Sequence, residues 1–255
     1  MQQTSLWHRI LSTFRNESAQ TETCFWEVDI HSHLLPGLDD GVQHPDDTLA
    51  CLQQLVSWGI KKVITTPHVS RDWYPNSSQT IRDGLKTVQE LIETHQLPLT
   101  VEVAAEYLLD DFFPGLLKEN DLLSFGAQRY LLVETGWASA PNYLDDILFR
   151  IQTKGYTPVL AHPERYKYYH DHRETLLHLR EAGCKLQLNW MSLTGRYGSS
   201  VQRQARFLLK QQAIDFIGSD LHQPRDLNDM RKLFTSSDWQ LLSEQPLLNH
   251  TLLID

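Results

Sequence analysis

Asp29-Ile30-His31-Ser32-His33-Leu34-Leu35-Pro36-Gly37-Leu38-Asp39-Asp40-Gly41 joins a short apolar run to a turn rich in ligand-type side chains. Val28 and Ile30 read as one face of a strand, so the two-residue period puts Asp29, His31 and His33 on the other. At a rise of about 3.3 Å per residue the two histidine backbones stand roughly 6.5 Å apart. Both rings can then tilt toward one divalent ion that takes nitrogen ligands at about 2.0–2.1 Å. A His-x-His pair is weak evidence by itself, because two polar residues on a solvated strand face have the same spacing.

Beyond this stretch, β-branched or apolar runs alternate with helical patterns, which is the sequence form of a parallel sheet built from βα units. Seven runs read as strands: Glu27 to His33, Lys62 to Thr66, Thr100 to Ala105, Tyr130 to Val133, Thr157 to Ala161, Lys185 to Leu188 and Ala213 to Ile217. Helices are predicted over Pro45 to Trp58, Ser77 to His95, Pro141 to Lys154, Arg173 to Ala182 and Val201 to Gln211. Gly59, Gly155 and Gly183 stop three of them, and the C-terminal remainder reads as two capping helices. With 255 residues, 41% of them hydrophobic, the chain has the material for one large core, and single α/β barrels commonly have this length.

His31 and His33, His68, Glu106, Glu134, His162, and Asp220 with His222 all fall at the C-terminal ends of predicted strands. In a parallel α/β barrel those ends converge on one rim, where such folds place their active sites. Each residue alone has a plainer reading as a turn histidine, a helix-capping carboxylate or an N-cap. Six of seven strands delivering such a side chain to one rim points instead to a multinuclear metal site.

Composition narrows the class. The net charge of −9 is spread along the chain, which argues against a nucleic-acid partner needing a basic face. Cys24, Cys51 and Cys184 contain no Cys-x-x-Cys and fit free, packed thiols in a reducing cytoplasm. No run is long enough to span a bilayer and no export signal is visible, so stable membrane insertion is not expected. Leu6, Trp7, Ile10, Leu11 and Phe14 recur at helical spacing. They predict a short amphipathic helix in an N-terminal arm, residues 1–26, preceding a barrel domain at 27–255.

The phrases His31-x-His33, Asp40, Thr66-Pro67-His68, Ala105-Glu106-Tyr107, Leu132-Val133-Glu134, Ala161-His162-Pro163-Glu164-Arg165 and Ser219-Asp220-Leu221-His222 form a pattern. From about Glu27 to its end the chain resembles the polymerase-and-histidinol-phosphatase (PHP) superfamily. Within it the resemblance is to the bacterial PHP-type tyrosine-protein phosphatases of capsule and exopolysaccharide clusters. That resemblance implies a distorted seven-stranded (β/α) TIM-like barrel holding three divalent ions. One ion would take His31, His33, Glu106 and Asp220; a second Glu106, Glu134 and His162; a third Asp40, His68 and His222, with Asp39 as the alternative to Asp40. Manganese is the metal the resemblance favours, and nitrogen and oxygen ligation also suits iron or zinc. The implied substrate is phosphotyrosine in a protein tail, with a tyrosine autokinase controlling polysaccharide export as the partner. A small-molecule phosphomonoesterase of histidinol-phosphatase type is the alternative. A non-catalytic regulatory barrel is a third reading, but it predicts a broken ligand set, and here every ligand position is filled.

The residue types suit phosphate chemistry. Three divalent ions less the charges of Asp40, Glu106, Glu134 and Asp220 leave about two positive charges for a phosphoryl dianion. A water shared by two ions is acidified from 15.7 toward about 7, supplying hydroxide for in-line attack. No cysteine is followed six positions later by Arg, so the thiol-phosphatase loop is absent. Arg165 and Arg225, each three residues beyond a site histidine, are candidates to grip phosphate oxygens, with Arg71 and Arg196 as further loop arginines. Tyr74, Trp137, Tyr166, Tyr168 and Trp190 are candidates to stack on a phosphotyrosine ring, against a core-packing reading for each. Asp29 lies deeper in the strand and reads as a partner of a ligand rather than a ligand.

Overall fold

In the computed structural model, which describes residues 22–139 and 141–254, every strand ladder is parallel. The strands are β1 (Val28–Asp29), β2 (Lys62–Thr65), β3 (His68–Val69), β4 (Thr100–Val103), β5 (Glu106–Leu108), β6 (Tyr130–Glu134), β7 (Thr157–Ala161), β8 (Lys185–Asn189) and β9 (Phe216–Gly218). They pair in the orders β1-β2-β4 and β3-β5-β6-β7-β8-β9. The amphipathic helix expected over residues 6–14 lies outside the described residues.

Two of the predicted strands are each followed by a second, short strand segment that the sequence reading did not include. Pro67, which has no N–H to donate, separates β2 from β3, and Ala104-Ala105 separates β4 from β5. His68 and Glu106 therefore open new strand segments; they do not end the old ones. Single hydrogen bonds carry the pairing across the breaks. Thr66 N donates to Ser32 O at 2.7 Å, Ala104 N to Thr65 O at 3.0 Å and Glu106 N to Pro67 O at 3.1 Å. The first and last strand ends also meet. Ser32 and Leu221 form a parallel bridge, Asp220 N donates to His31 O at 2.7 Å, and His33 N to Leu221 O at 2.9 Å. The result is a curled parallel α/β sheet.

Period two sorts the strand residues between two cores. Tyr130 and Leu132 of β6, Val159 and Ala161 of β7 and Phe216 of β9 join Val28, Ile30 and Ile64 in a smaller cluster. Their neighbours Leu131, Val133, Leu160 and Ile217 pack with helical residues in a larger one. Strands buried on both faces read as near-continuous apolar runs, which is why these segments were legible. Glu134 keeps the parity of Tyr130 and Leu132, so it continues the smaller cluster's face at the strand's end.

The helices are α1 (Pro45–Ser57), α2 (Ser78–His95), α3 (Phe113–Glu119), α4 (Leu144–Thr153), α5 (Glu174–Glu181), α6 (Ser199–Lys210), α7 (Leu227–Arg231) and α8 (Asp238–Ser243). Local chemistry accounts for their ends. Pro45 opens α1, where its missing N–H costs nothing, and a Ser77–Thr80 capping box opens α2. Helix α4 starts at Leu144, later than the expected Pro141. No described helix is long and apolar enough to cross a membrane, and all three cysteines are free and buried.

Candidate metal centre

His31 is held from behind. Its Nδ1 meets Gln187 Oε1 at 2.9 Å, leaving Nε2 to face Glu106 Oε2 at 3.2 Å and Asp220 Oδ1 at 3.4 Å. His33 is held likewise, its Nδ1 2.7 Å from Asp39 Oδ2. Asp39 also accepts from His68 N and Gly41 N, both at 2.9 Å, so its carboxylate is committed to orienting the turn. Asp40 is the neighbour that turns toward the rim, its Oδ1 3.5 Å from Nε2 of both His68 and His222. Gly41 permits the turn, since a Cβ there would lie 2.3 Å from the His33 carbonyl oxygen.

Glu106 sits at the centre, fully buried. Its Oε2 faces His31, His33 (3.6 Å) and His68 (3.1 Å), and its Oε1 faces His162 Nε2 at 2.9 Å. Among the described residues, atoms able to ligate a metal and lying within 4.8 Å of one another form four overlapping groups: His33, Asp40, His68 and His222; His31, His33 and Asp220; His31, Glu106 and His162; and His68, Glu106 and Glu134. All nine expected ligand residues are brought together, with a different division from the one the resemblance implies. Glu134 groups with His68 instead of His162, because His68 Nδ1 is 3.2 Å from Glu134 Oε1.

The donor set fits metal ions. With both Nδ1 atoms held by oxygen acceptors, His31 and His33 turn their Nε2 atoms into the site, 3.3 Å apart. Once unprotonated, two ring nitrogens placed in this way suit a shared cation. Bonds of about 2.0–2.2 Å place neighbouring ligand atoms of one ion about 3.0–3.4 Å apart, which matches the separations around His31 and His33.

Electrostatics agrees. Burial works against ionising Glu106, yet the charges of His31 and His68 hold it well below the usual carboxylate range. Burial likewise lowers His31, but Glu106 and Asp220 outweigh it and leave the ring at about 9; His222 is raised to about 9 over the same opposition from burial, by Asp220 and Asp40. The negative charge of Glu106 and Asp220 thus favours positive charge on His31 and His222, the charge that a metal cation would supply instead. His162 (φ 35°) and Asp220 (φ 51°) both occupy the left-handed region, which costs a non-glycine residue about 1–2 kcal/mol and which His and Asp tolerate better than most.

A cavity of about 510 Å³ opens over these residues, lined by Asp40, His68, Glu134, His162, Asp220, His222 and Arg165 among others. Arg165 Nη1 lies 2.6 Å from Asp220 Oδ2, and its guanidinium rests over the rings of Trp137 (4.7 Å) and Tyr197 (4.3 Å). Arg225 is exposed on a 3-10 turn and is not among the cavity's lining residues. Arg196 is paired with Asp226 and Asp229, and Arg71 lies over Phe112 outside the cavity. Of the candidate stacking rings, Tyr74 lies parallel to His68, and Trp137, half exposed, lies parallel to His162. Tyr166 and Trp190 are instead core residues. The Tyr166 hydroxyl accepts from Thr135 N, and Trp190 Nε1 donates to Met230 O. The Tyr168 hydroxyl is tied to Thr135. Trp73, exposed at the cavity wall, was not among the expected rings; its only sequence signal is its place beside Tyr74 in the loop after the second strand.

The family of capsular polysaccharide synthesis proteins CpsB/CapC matches residues 27–232. The chain belongs to the CpsB/CapC family. Tyrosine-protein phosphatase YwqE of Bacillus subtilis is 30% identical over 201 residues, 79% of each chain. Putative tyrosine-protein phosphatase CapC of Staphylococcus aureus is 29% identical over 76% of each chain. A crystal structure from work on YwqE and on CpsB of Streptococcus pneumoniae, described as unique metal-dependent tyrosine phosphatases, superposes with a TM-score of 0.72 at 27% identity. It covers 87% of this chain and 96% of that one.

In this CpsB/CapC member two residues that carry no ligand still set the site. Gln187 Oε1 accepts from His162 N at 3.2 Å as well as from the His31 ring. Asp29 accepts from Ser219 N (2.8 Å) and Oγ (2.6 Å), clamping β1 to the strand end that carries Asp220. Asp29 was legible by parity; Gln187 lies 156 residues from His31 and had no local signal. Gly218 completes the fit, because a Cβ there would lie 2.6 Å from His31 Cβ. Replacing Gln187 with Ala frees the His31 ring and is expected to weaken metal binding about 10–100-fold. Titration of chelator-stripped protein with Mn²⁺ measures it, and unchanged affinity contradicts the role.

Proposed function

We propose that this chain is a metal-dependent protein-tyrosine phosphatase that binds three divalent ions, manganese first among them, through His31, His33, Asp40, His68, Glu106, Glu134, His162, Asp220 and His222. One observation carries this reading: nine nitrogen- and oxygen-bearing ligand residues converge beneath a single cavity that also receives one arginine. The relatives' names and the metal-dependent tyrosine phosphatase structure support it.

The Ser32–Leu221 bridge supports counting the two sheets as one distorted seven-stranded (β/α) barrel of PHP type over residues 27–255, with β2/β3 and β4/β5 each one strand. Glu106, shared by two groups, is the carboxylate suited to bridging ions. When bound, the ions supply Lewis acidity toward phosphoryl oxygens and an acidified water as nucleophile. Arg165 grips the remaining phosphate oxygens through its planar fork. Trp137, Tyr74 and Trp73 wall the space above for the aryl ring. The leaving phenolate belongs to a group of pKa about 10, so it departs with little help from a general acid. The substrate that fits the family is a tyrosine autokinase tail controlling polysaccharide synthesis, and three free buried thiols fit a cytoplasmic setting.

Turnover of a phosphotyrosyl peptide is expected to fall at least about 100-fold on chelation and to return with Mn²⁺. Histidinol phosphate, assayed in parallel, is expected to be the poorer substrate by kcat/KM. A preference of orders of magnitude for histidinol phosphate overturns the substrate, and metal-loaded protein inert on both overturns the enzyme.

A further inference from the structure

Ser70 and Leu108 line the cavity and also line a second groove of about 380 Å³, so the two depressions share a wall. Ser70 and Tyr74 exchange backbone hydrogen bonds of 2.9 and 3.1 Å, making Arg71-Asp72-Trp73 the tip of a tight loop between them. The tip is two-sided: Trp73 and Tyr74 line the cavity, whereas Arg71 lines the groove with its guanidinium 3.8 Å above the Phe112 ring. Apolar surface dominates the groove through Val69, Phe112 and Leu116. Phe112 is 37% exposed while its neighbour Phe113 is fully buried, so the fold uses one ring and leaves the other at the surface.

An extended polypeptide places the side chains of residues i and i+2 on one face, roughly 6.6 Å apart along the strand, with the intervening residue turned away. Two adjoining depressions with a common wall can take two such side chains from one extended segment. We propose that the groove receives an apolar side chain of the substrate polypeptide two residues from the phosphotyrosine, so that the protein reads an extended substrate segment and not the phosphorylated residue alone. This rests on the phosphatase reading above. Backbone geometry supplies the reach, and Phe112 and Leu116 supply the selectivity.

The test uses the full chain loaded with Mn²⁺ and four phosphotyrosyl peptides carrying Leu or Gly two residues before or after the phosphotyrosine, with p-nitrophenyl phosphate as the small substrate. At one of the two positions Leu is expected to be favoured over Gly by about tenfold in kcat/KM, through KM. Phe112→Ser and Leu116→Ser are each expected to erase most of that preference while leaving turnover of p-nitrophenyl phosphate within about twofold. Equal turnover of Leu and Gly peptides, or variants that keep the preference, overturns the groove. So does a variant that lowers peptide and p-nitrophenyl phosphate turnover alike. Metal-loaded protein that turns over neither substrate class overturns the phosphatase reading and this one with it.

Discussion

Glu106→Gln is expected to lower kcat/KM on a phosphotyrosyl peptide by about 10³-fold or more while leaving the fold intact. The amide has nearly the carboxylate's shape, so the packing of a fully buried side chain is kept. What it loses is the charge facing His31, His33, His68 and His162, and the second oxygen that lets one residue serve two ligand groups. Its NH₂ would point a donor at imidazoles that must present lone pairs to ions. Metal content by mass spectrometry of the intact protein is expected to fall together with activity, and circular dichroism to stay unchanged. A variant that retains its metal and turns over within about tenfold of the parent contradicts the central place given to Glu106.

Arg165→Lys is expected to reduce kcat about 10²-fold with metal content unchanged. Lysine keeps the charge but loses the planar fork. The guanidinium is held in place by Trp137, Tyr197 and Asp220, and a flexible ammonium has no equivalent stacking surface. The split between kcat and metal content separates two roles. If Arg165 served only to orient Asp220, metal affinity would fall with activity. If it grips the phosphoryl group, chemistry slows in a fully loaded site. Full activity in the Lys variant contradicts both.

Much of this molecule was legible before any tertiary contact was known. The apolar runs of β6 and β7 are local patterns, as are the alternation of β8, Pro45 at the start of α1 and Gly59 after its end. The convergence of His31, His33, Glu134, His162 and Asp220 followed from strand polarity alone, because parallel strands present their C-terminal ends on one side. His68 and Glu106 were reached by the same argument although each opens a new strand segment; Pro67 ends one ladder without redirecting the chain.

The choice between adjacent or similar residues was not local. Asp39 and Asp40 share composition and neighbourhood, and only the contacts with His33 and the His68 backbone show that Asp39 is committed and Asp40 faces the rim. Arg165 and Arg225 have the same offset from a site histidine, but Trp137 and Tyr197 draw one over the cavity while the other stays at the surface. Trp190 and Trp137 both follow strand ends, and one is core while the other is wall. By itself, then, the sequence determined that parallel strands alternate with helices and which ligand-type residues reach the rim, because period, turn chemistry and chain polarity are properties of a few consecutive residues; the short segments β3 and β5 were not legible in it. Only the tertiary structure decided where each side chain points and which residues share a ligand group. Those outcomes depend on packing and hydrogen bonds between residues as far apart as Asp29 and Ser219, 190 positions along the chain.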